Sequence, residues 1–211
     1  MPTSFAEIVE SSLPTFVAQS WQWDKFPPFG SLVTVQSGMR TLIGVVHQIQ
    51  TGSMDPTRYP FPYQKTEEEL RREQPQIFEF LRTTFSCVVT GYYEKGSMQY
   101  LLCPQPPKIH AFVSPISPEL LTRYSLSAKY LHLLFGMGHQ VCNLDELLLA
   151  HLRTLGDAGL VTEAKLADFI ETFSLLTGND YRRLKLFLQR IDQTGYANHV
   201  RISQTAPEQG L

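Results

Sequence analysis

The stretch that most constrains the fold runs from residue 28 to residue 51, where two apolar runs flank a short break. Residues 31–35 and 41–46 are rich in β-branched side chains, and Ser37-Gly38-Met39-Arg40 lies between them. Two such runs separated by a few residues that include a glycine predict a β-hairpin. Gly44 lies inside the second run, where a glycine indicates either a bulge that bends the strand or a close approach of a ligand. We favour the bend, because a curved barrel strand needs one. The hairpin therefore predicts a small β-barrel.

Further strand-like runs lie on both sides of the hairpin. They cover residues 15–21, 85–93, 98–102 and 109–113, so that the predicted barrel has about six strands. The runs do not alternate with helices in a β-α-β pattern, and this favours antiparallel closure. Before the first run, Ser4 and Glu7 have the spacing of a capping box, which predicts a short N-terminal helix through Ser11.

The segment 52–82 interrupts the barrel pattern as an insertion. It opens with an aromatic, proline-rich loop, which is either a binding element on a rigid barrel or a lid that only packs. A helix is predicted from Thr66, with acidic residues in its first turn, and Pro75 divides it in two. Four apolar side chains of the insertion are predicted to face a core: Leu70, Ile77, Phe78 and Leu81.

From residue 117 onwards the pattern becomes helical. One helix is predicted from Ser117 to about Leu134, and further helices begin at Asn143, Thr162 and Asp180. The predicted fold class is α+β, a small antiparallel barrel followed by a helical domain. The predicted organisation is a helical segment at 1–14, the barrel with its insertion at 15–116, helices at 117–194 and a flexible tail at 195–211.

The barrel half resembles the HAS barrel, on the runs 29–35, 42–46 and 85–92 and on Pro106-Pro107 followed by Phe112-Val113. This domain stands at the N-terminus of HerA-type ATPases and of F-type ATP synthase catalytic and regulatory subunits. The resemblance implies a barrel used for docking or assembly. Those proteins follow the barrel with an ATPase core that needs G-x-x-x-x-G-K-[ST], and this chain contains no such run. The resemblance therefore carries over no catalytic residue and no ATP hydrolysis.

Other chemistry has little support in the sequence. His139 and Cys142 form one short pair, with His151 further along, whereas a structural zinc site has four ligands. Cys87 and Cys103 lie in predicted strands, where a meeting with a strand histidine (His47 or His110) is conceivable, but core packing is the favoured role of a cysteine there. The hydrolase pattern Gly-x-Ser-x-Gly is absent. We therefore predict no catalytic residue, no metal and no cofactor.

Net charge and cysteine content limit the expected partners and cellular location. A formal net charge of -2 gives no general nucleic-acid footprint, although Arg182 and Lys185 form a basic face on the last helix that is either solvated or meets an acidic partner or phosphate. Three cysteines suit a reducing compartment. The chain has neither a secretory-signal pattern nor a long apolar run, so the expected location is the cytoplasm.

These observations predict a non-enzymatic protein-interaction or assembly module. Its partner is expected to be another protein, by resemblance an ATPase or a nuclease, or a second copy of the chain. The expected contact anchors are aromatic, because Trp and Tyr dominate interface hot spots: Trp21, Trp23, Tyr59, Phe61 and Tyr63. The alternatives are a ligand- or nucleic-acid-binding barrel and an enzyme whose site is spread over several strands.

Overall fold

The computed structural model describes residues 4–55, 57 and 61–193, with side chains described as far as residue 191. Its first half is a β-barrel whose strands run antiparallel to their neighbours. The strands are β1 (Ala6–Ser11), β2 (Thr15–Ser20), β3 (Leu32–Ser37), β4 (Arg40–Ser53), β5 (Leu81–Glu94), β6 (Ser97–Gln99) and β7 (Phe112–Pro115). The order β2-β1-β7-β3-β4-β5 closes through pairing of β2 with β5, and β6 extends the sheet beside β5. A closed antiparallel barrel of six strands confirms the predicted class.

The predicted hairpin is the pairing of β3 with β4, from Leu32↔Val45 to Ser37↔Arg40. The β4 register with β5 shifts between Ile43 and Gly44, as predicted for a bend. A Cβ at Gly44 would lie 2.9 Å from the ring of Phe16, so the missing side chain makes room for the barrel core. That core is formed by inward side chains of all six strands: Ala6, Ile8, Phe16, Ala18, Val33, Val35, Leu42, Val46, Phe85, Cys87, Val89 and Val113.

The predicted N-terminal helix is wrong, because residues 6–11 form β1. Ala6 and Ile8 are fully buried, two residues apart, which is the spacing of a strand that faces a core. The backbone of β1 pairs with β2 on one side and with β7 on the other. The capping-box pattern is a local signal, and pairing with two strands outweighs it. The bounds of the last predicted strand also differ: it is predicted at residues 109–113, and β7 covers Phe112–Pro115.

The insertion contains two short helices, as predicted: α1 (Glu67–Glu73) and α2 (Gln76–Glu79), with Pro75 between them. Thr66 caps α1 in a complete capping box with Glu69. The prediction that the apolar side chains of the insertion face a core is wrong: Leu70, Ile77 and Phe78 are only half-buried on α1 and α2, and Leu81, which begins β5, is half-buried as well. These helices lie at the end of the β4–β5 ribbon, where the described part of the chain places no second layer over them.

The second half is helical. Its elements are α3 (Pro118–Tyr124), a 3₁₀ turn (Ala128–Tyr130), α4 (Leu131–Gly136), α5 (Leu144–Asp157), α6 (Glu163–Leu176) and α7 (Tyr181–Gln193). The predicted starts at Ser117, Asn143 and Thr162 are confirmed as N-caps. The single helix predicted for residues 117–134 is broken after Tyr124, where the Ala128 backbone N–H donates to the Asp168 carboxylate at 2.8 Å. At this point the chain therefore makes a hydrogen bond to α6 and does not continue as a helix.

The helices cover one part of the barrel exterior. Outward side chains of β3, β4 and β5 join one core with those of the helices: Leu32, Ile43, Val45 and Val88 with Tyr124, Leu131, Leu134, Leu147 and Leu148. One close approach is at Gly30, which has a φ of +80°, and a Cβ added there would lie 2.6 Å from that of Ala150 in α5. The Gly30 carbonyl accepts a hydrogen bond of 3.1 Å from Nδ1 of the buried His151.

None of the helices in the described part of the chain is long and apolar enough to cross a lipid bilayer. The predicted flexible tail at 195–211 lies outside the described residues.

Candidate interaction surfaces

An open apolar groove lies on the insertion, with a volume of about 420 Å³. We call it the aromatic groove. It forms where the last residues of the β4–β5 ribbon meet α1 and α2, and its lining combines aromatic and aliphatic side chains with three polar ones: Ser53, Phe61, Tyr63, Leu70, Gln74, Gln76, Ile77, Phe78, Phe80 and Leu81.

Two of the predicted anchors, Phe61 and Tyr63, line this groove. Their rings meet edge to face at 5.6 Å, and Phe61 is 69% exposed while Tyr63 is 37% exposed. Apolar rings left this open to water are typical of contact sites and costly in a surface without a partner. A third predicted anchor, Tyr59, lies outside the described residues.

Trp23 supports the groove from behind. Its ring stacks on Phe78 at 5.8 Å, and the Arg71 guanidinium lies 4.6 Å from the centre of the Phe78 ring. The Thr83 hydroxyl donates a 2.5 Å hydrogen bond to the Trp23 carbonyl. Trp23 therefore holds α1 and α2 against the barrel, and its role as an open contact anchor is not supported by this packing.

Trp21 lies elsewhere, although only one residue separates it from Trp23. It is 54% exposed and packs edge to face against Phe112 of β7, with ring centres 5.5 Å apart. The structure therefore does not bring Trp21 together with Phe61 and Tyr63. Phe112 is the partner that sequence reasoning missed, since pairing of β1 with β7 brings it close and no local pattern indicates that pairing.

The rim of the aromatic groove is charged. Lys65 forms an ion pair with Glu73, and Arg71 forms ion pairs with Glu67 at 2.8 Å and Asp24 at 3.6 Å. Two further carboxylates of α1 and α2, those of Glu68 and Glu79, are exposed and make no ion pair with any described residue. The uncompensated charge on these two helices is thus negative within the described residues.

A second surface, which we call the polar face, lies on the outside of β2, β4 and β5, beyond the part that the helices cover. It consists of Gln19, Gln48, Gln50, Arg82, Thr84 and Ser86, and it lines a depression of about 410 Å³ together with Val9, Glu10 and Val17. The strand register places Gln48 opposite Ser86 and Gln50 opposite Thr84. Among the described residues, none of the six side chains has a hydrogen-bond partner in the protein, so their donors and acceptors are available to a ligand.

The predicted basic face is present in part. Arg182 and Lys185 are exposed on α7. Their basic neighbours on the helix serve the fold, because Arg183 pairs with Asp145 and Arg190 pairs with Glu146, each at 2.6 Å. Two exposed cations on one helix are too few for a nucleic-acid footprint.

The predicted chemical candidates do not come together. His151 is buried against Gly30, and burial lowers the pKa of its imidazole to about 4, whereas Cys142 is exposed. No group of three His, Cys, Asp or Glu residues suited to a metal ion occurs within the described part of the chain. Burial raises the pKa of the Cys87 thiol and lowers that of His47, which disfavours the thiolate and the imidazolium that a nucleophilic pair uses. Cys103 and His110 are predicted to lie in strands, but both lie in the segment between β6 and β7.

No protein-family model matches the chain, and no curated protein is significantly similar to it. The closed antiparallel barrel agrees with the barrel that the resemblance implied. Small antiparallel barrels occur in many unrelated families, so this agreement extends to the fold class alone.

Proposed function

We propose that the chain is a non-enzymatic assembly module that binds an apolar segment of a protein in the aromatic groove. The observation that carries the proposal is the exposure of Phe61 and Tyr63 over an open apolar groove at the end of the β4–β5 ribbon. Burying such rings in a contact is favourable by about 25 cal/mol for each Å² of apolar surface removed from water. The barrel interior is filled by its own side chains, so the outer surface is where binding is supported.

The shape of the groove supports a protein segment as its occupant. Its volume of about 420 Å³ is large enough for a few side chains, and its lining is mainly hydrocarbon, with only Ser53, Gln74 and Gln76 offering polar side chains. A small polar molecule would find few hydrogen-bond partners there, whereas an apolar side chain on a turn or a helix would lose water on nearly every side.

The likeness to HAS barrels adds a class of partner to this proposal. Those barrels stand at the N-terminus of ring-forming ATPases, and this chain has strands in the matching runs without the phosphate-binding loop. We therefore propose that the chain is a HAS-type barrel protein that acts in the cytoplasm. Its candidate partner, other than a second copy of the chain, is a HerA-type ATPase.

Site-specific photo-crosslinking tests the assembly role. A photoreactive phenylalanine analogue at Tyr63 is expected to capture a protein segment with apolar side chains in cells, and peptide mapping identifies that segment. The same analogue at Leu126, an exposed residue between α3 and the 3₁₀ turn, is the matched control. Capture at Tyr63 no greater than at Leu126 would refute the proposed function.

A second candidate function, ligand binding, is favoured by the polar face. Its amides, hydroxyls and guanidinium suit a small polar ligand, whereas single-stranded nucleic acid usually stacks on aromatic rings, which this depression lacks. Screening polar metabolites by thermal shift tests it, because a ligand of the folded state raises the melting temperature. A shift that disappears in the double variant Gln48→Ala, Gln50→Ala supports this candidate, and a library without any hit contradicts it.

A further inference from the structure

We infer that the occupant of the aromatic groove is the β3–β4 hairpin tip of a second copy of the chain, so that copies associate head to tail. This inference rests on the proposed function, because it names the partner of the same groove.

The hairpin tip carries an apolar side chain that the described residues leave largely uncovered. Met39 is 77% exposed, which makes it the most exposed large apolar residue in the described part of the chain. Beside it, a Cβ added at Gly38 would meet no atom within 4 Å, so the tip projects into open space. A methionine side chain is flexible and polarizable, and it makes favourable contacts with aromatic rings. The tip is therefore suited to an apolar groove lined by Phe and Tyr.

Three contacts brace the backbone of the tip. Arg40 forms a 3.0 Å ion pair with Glu94, and its guanidinium lies 5.7 Å from the centre of the Tyr92 ring. The side-chain amide of Gln36 donates to the Gly38 carbonyl at 2.8 Å. These contacts restrain the backbone of the tip, so that on binding mainly the Met39 side chain has to be ordered.

The tip and the groove lie at opposite ends of one ribbon. β4 begins at Arg40, next to the tip, and ends at Ser53, which lines the groove and pairs with Leu81 of β5. Fourteen residues of strand span roughly 40 Å at about 3.3 Å per residue. A chain therefore does not fill its own groove, and contact between unlike ends of two copies is a heterologous interface.

The charges at the two ends are complementary. The turn between β5 and β6 lies beside the hairpin tip, because the Arg40–Glu94 ion pair joins the two turns. Lys95 in this turn is exposed and makes no ion pair with any described residue. At the other end of the ribbon, Glu68 and Glu79 lie on the two helices that contribute to the groove, and both are likewise exposed and make no ion pair with any described residue. Head-to-tail contact brings unlike charges together, whereas contact between two like ends would oppose like charges.

One tip in one groove buries a small area, so the contact is expected to be weak and to depend on protein concentration. A pair of bound copies still presents a free tip at one end and a free groove at the other. The copies therefore form rings or open chains, and not a dimer that is saturated at two chains.

Two variants with complementary defects test the inference. Met39→Asp removes the tip and keeps the groove, whereas Phe61→Asp damages the groove and keeps the tip. In sedimentation velocity, the wild type is expected to form species of more than two chains as its concentration rises, seen as an increase in its sedimentation coefficient. Each variant alone is expected to stay at 24.0 kDa, with an apparent dissociation constant at least about tenfold higher than that of the wild type.

An equimolar mixture of the two variants is the decisive sample. The groove of Met39→Asp is expected to accept the tip of Phe61→Asp, which gives a species of two chains and nothing larger. Leu126→Asp, a substitution at another exposed apolar residue, is the control and should assemble like the wild type. Formation of the two-chain species also shows that both variants are folded.

Three results would overturn the inference: a wild type that remains monomeric, a mixture that remains monomeric, or loss of assembly in Leu126→Asp as well. Crosslinks from residue 63 separate this failure from that of the proposed function. Capture of residues 37–40 of another copy supports both ideas. Capture of an apolar segment of a different protein supports the proposed function and overturns the self-association, and no capture refutes both.

Discussion

Gly30 joins the barrel to the helices, and replacing it with alanine is expected to destabilise the protein strongly. Its φ of +80° lies in the left-handed region, where a residue with a side chain costs roughly 1–2 kcal/mol. The added Cβ would also lie 2.6 Å from Cβ of Ala150 and 2.7 Å from the carbonyl carbon of the same residue. Because α5 is buried against the barrel there, the overlap adds about 1–3 kcal/mol. The total is about 2–5 kcal/mol.

Gly38 provides the matched control. Its φ is +60°, but a Cβ there meets no atom within 4 Å, so Gly38→Ala carries the backbone cost alone. Urea denaturation of both variants, followed by far-ultraviolet circular dichroism, gives the two free energies of unfolding. Gly30→Ala is expected to lose about 1–3 kcal/mol more than Gly38→Ala. Equal losses in the two variants would refute the close packing of α5 on the Gly30 loop.

Two further predictions concern buried titratable groups. Burial holds the pKa of His151 at about 4, below the 6.5 of an exposed histidine. Between these two pH values the unfolded chain binds more protons than the folded one. The free energy of unfolding is therefore expected to fall by up to about 3 kcal/mol as the pH drops from 6.5 to 4. His151→Gln should flatten this dependence in urea titrations at several pH values, and an unchanged slope contradicts it. With a thiol reagent, the exposed Cys142 is expected to react at once, whereas Cys87 and Cys103 react only after unfolding, because both are buried. Three fast thiols in the folded protein would count against the core packing.

Much of the barrel is predictable because its central hairpin is local. The β3–β4 turn and the caps at Thr66 and Asn143 depend on residues close together in the chain, and the glycine within the second run is itself a local signal for the bend at Gly44. The N-terminal strand is harder to predict, since only one of its two neighbours, β2, is close in the chain, and the other, β7, lies about 100 residues further along. A short pattern such as Ser-x-x-Glu then points to the wrong element.

The aromatic groove is predictable only in its composition. The loop 52–63 and the apolar residues that follow it indicate a surface rich in rings, and Phe61 and Tyr63 do meet there. Which tryptophan joins them depends on where the chain turns after β2. Trp23 packs under α2 while Trp21 packs on β7, so neighbours in sequence serve different surfaces. Ile77 and Phe78 look like core residues by periodicity alone, and only the tertiary structure leaves them half covered.

The position of β7 also sets when the barrel can close during synthesis. The hydroxyls of Ser4 and Ser114 lie 3.0 Å apart, although 110 positions separate them in the chain. A growing chain therefore keeps one edge of β1 unpaired until the ribosome has released β7, and closure over such a distance is slow. Until then the nascent chain holds an open sheet with an apolar lining, so a nascent-chain chaperone is expected to have its greatest effect on this protein before residue 115 emerges.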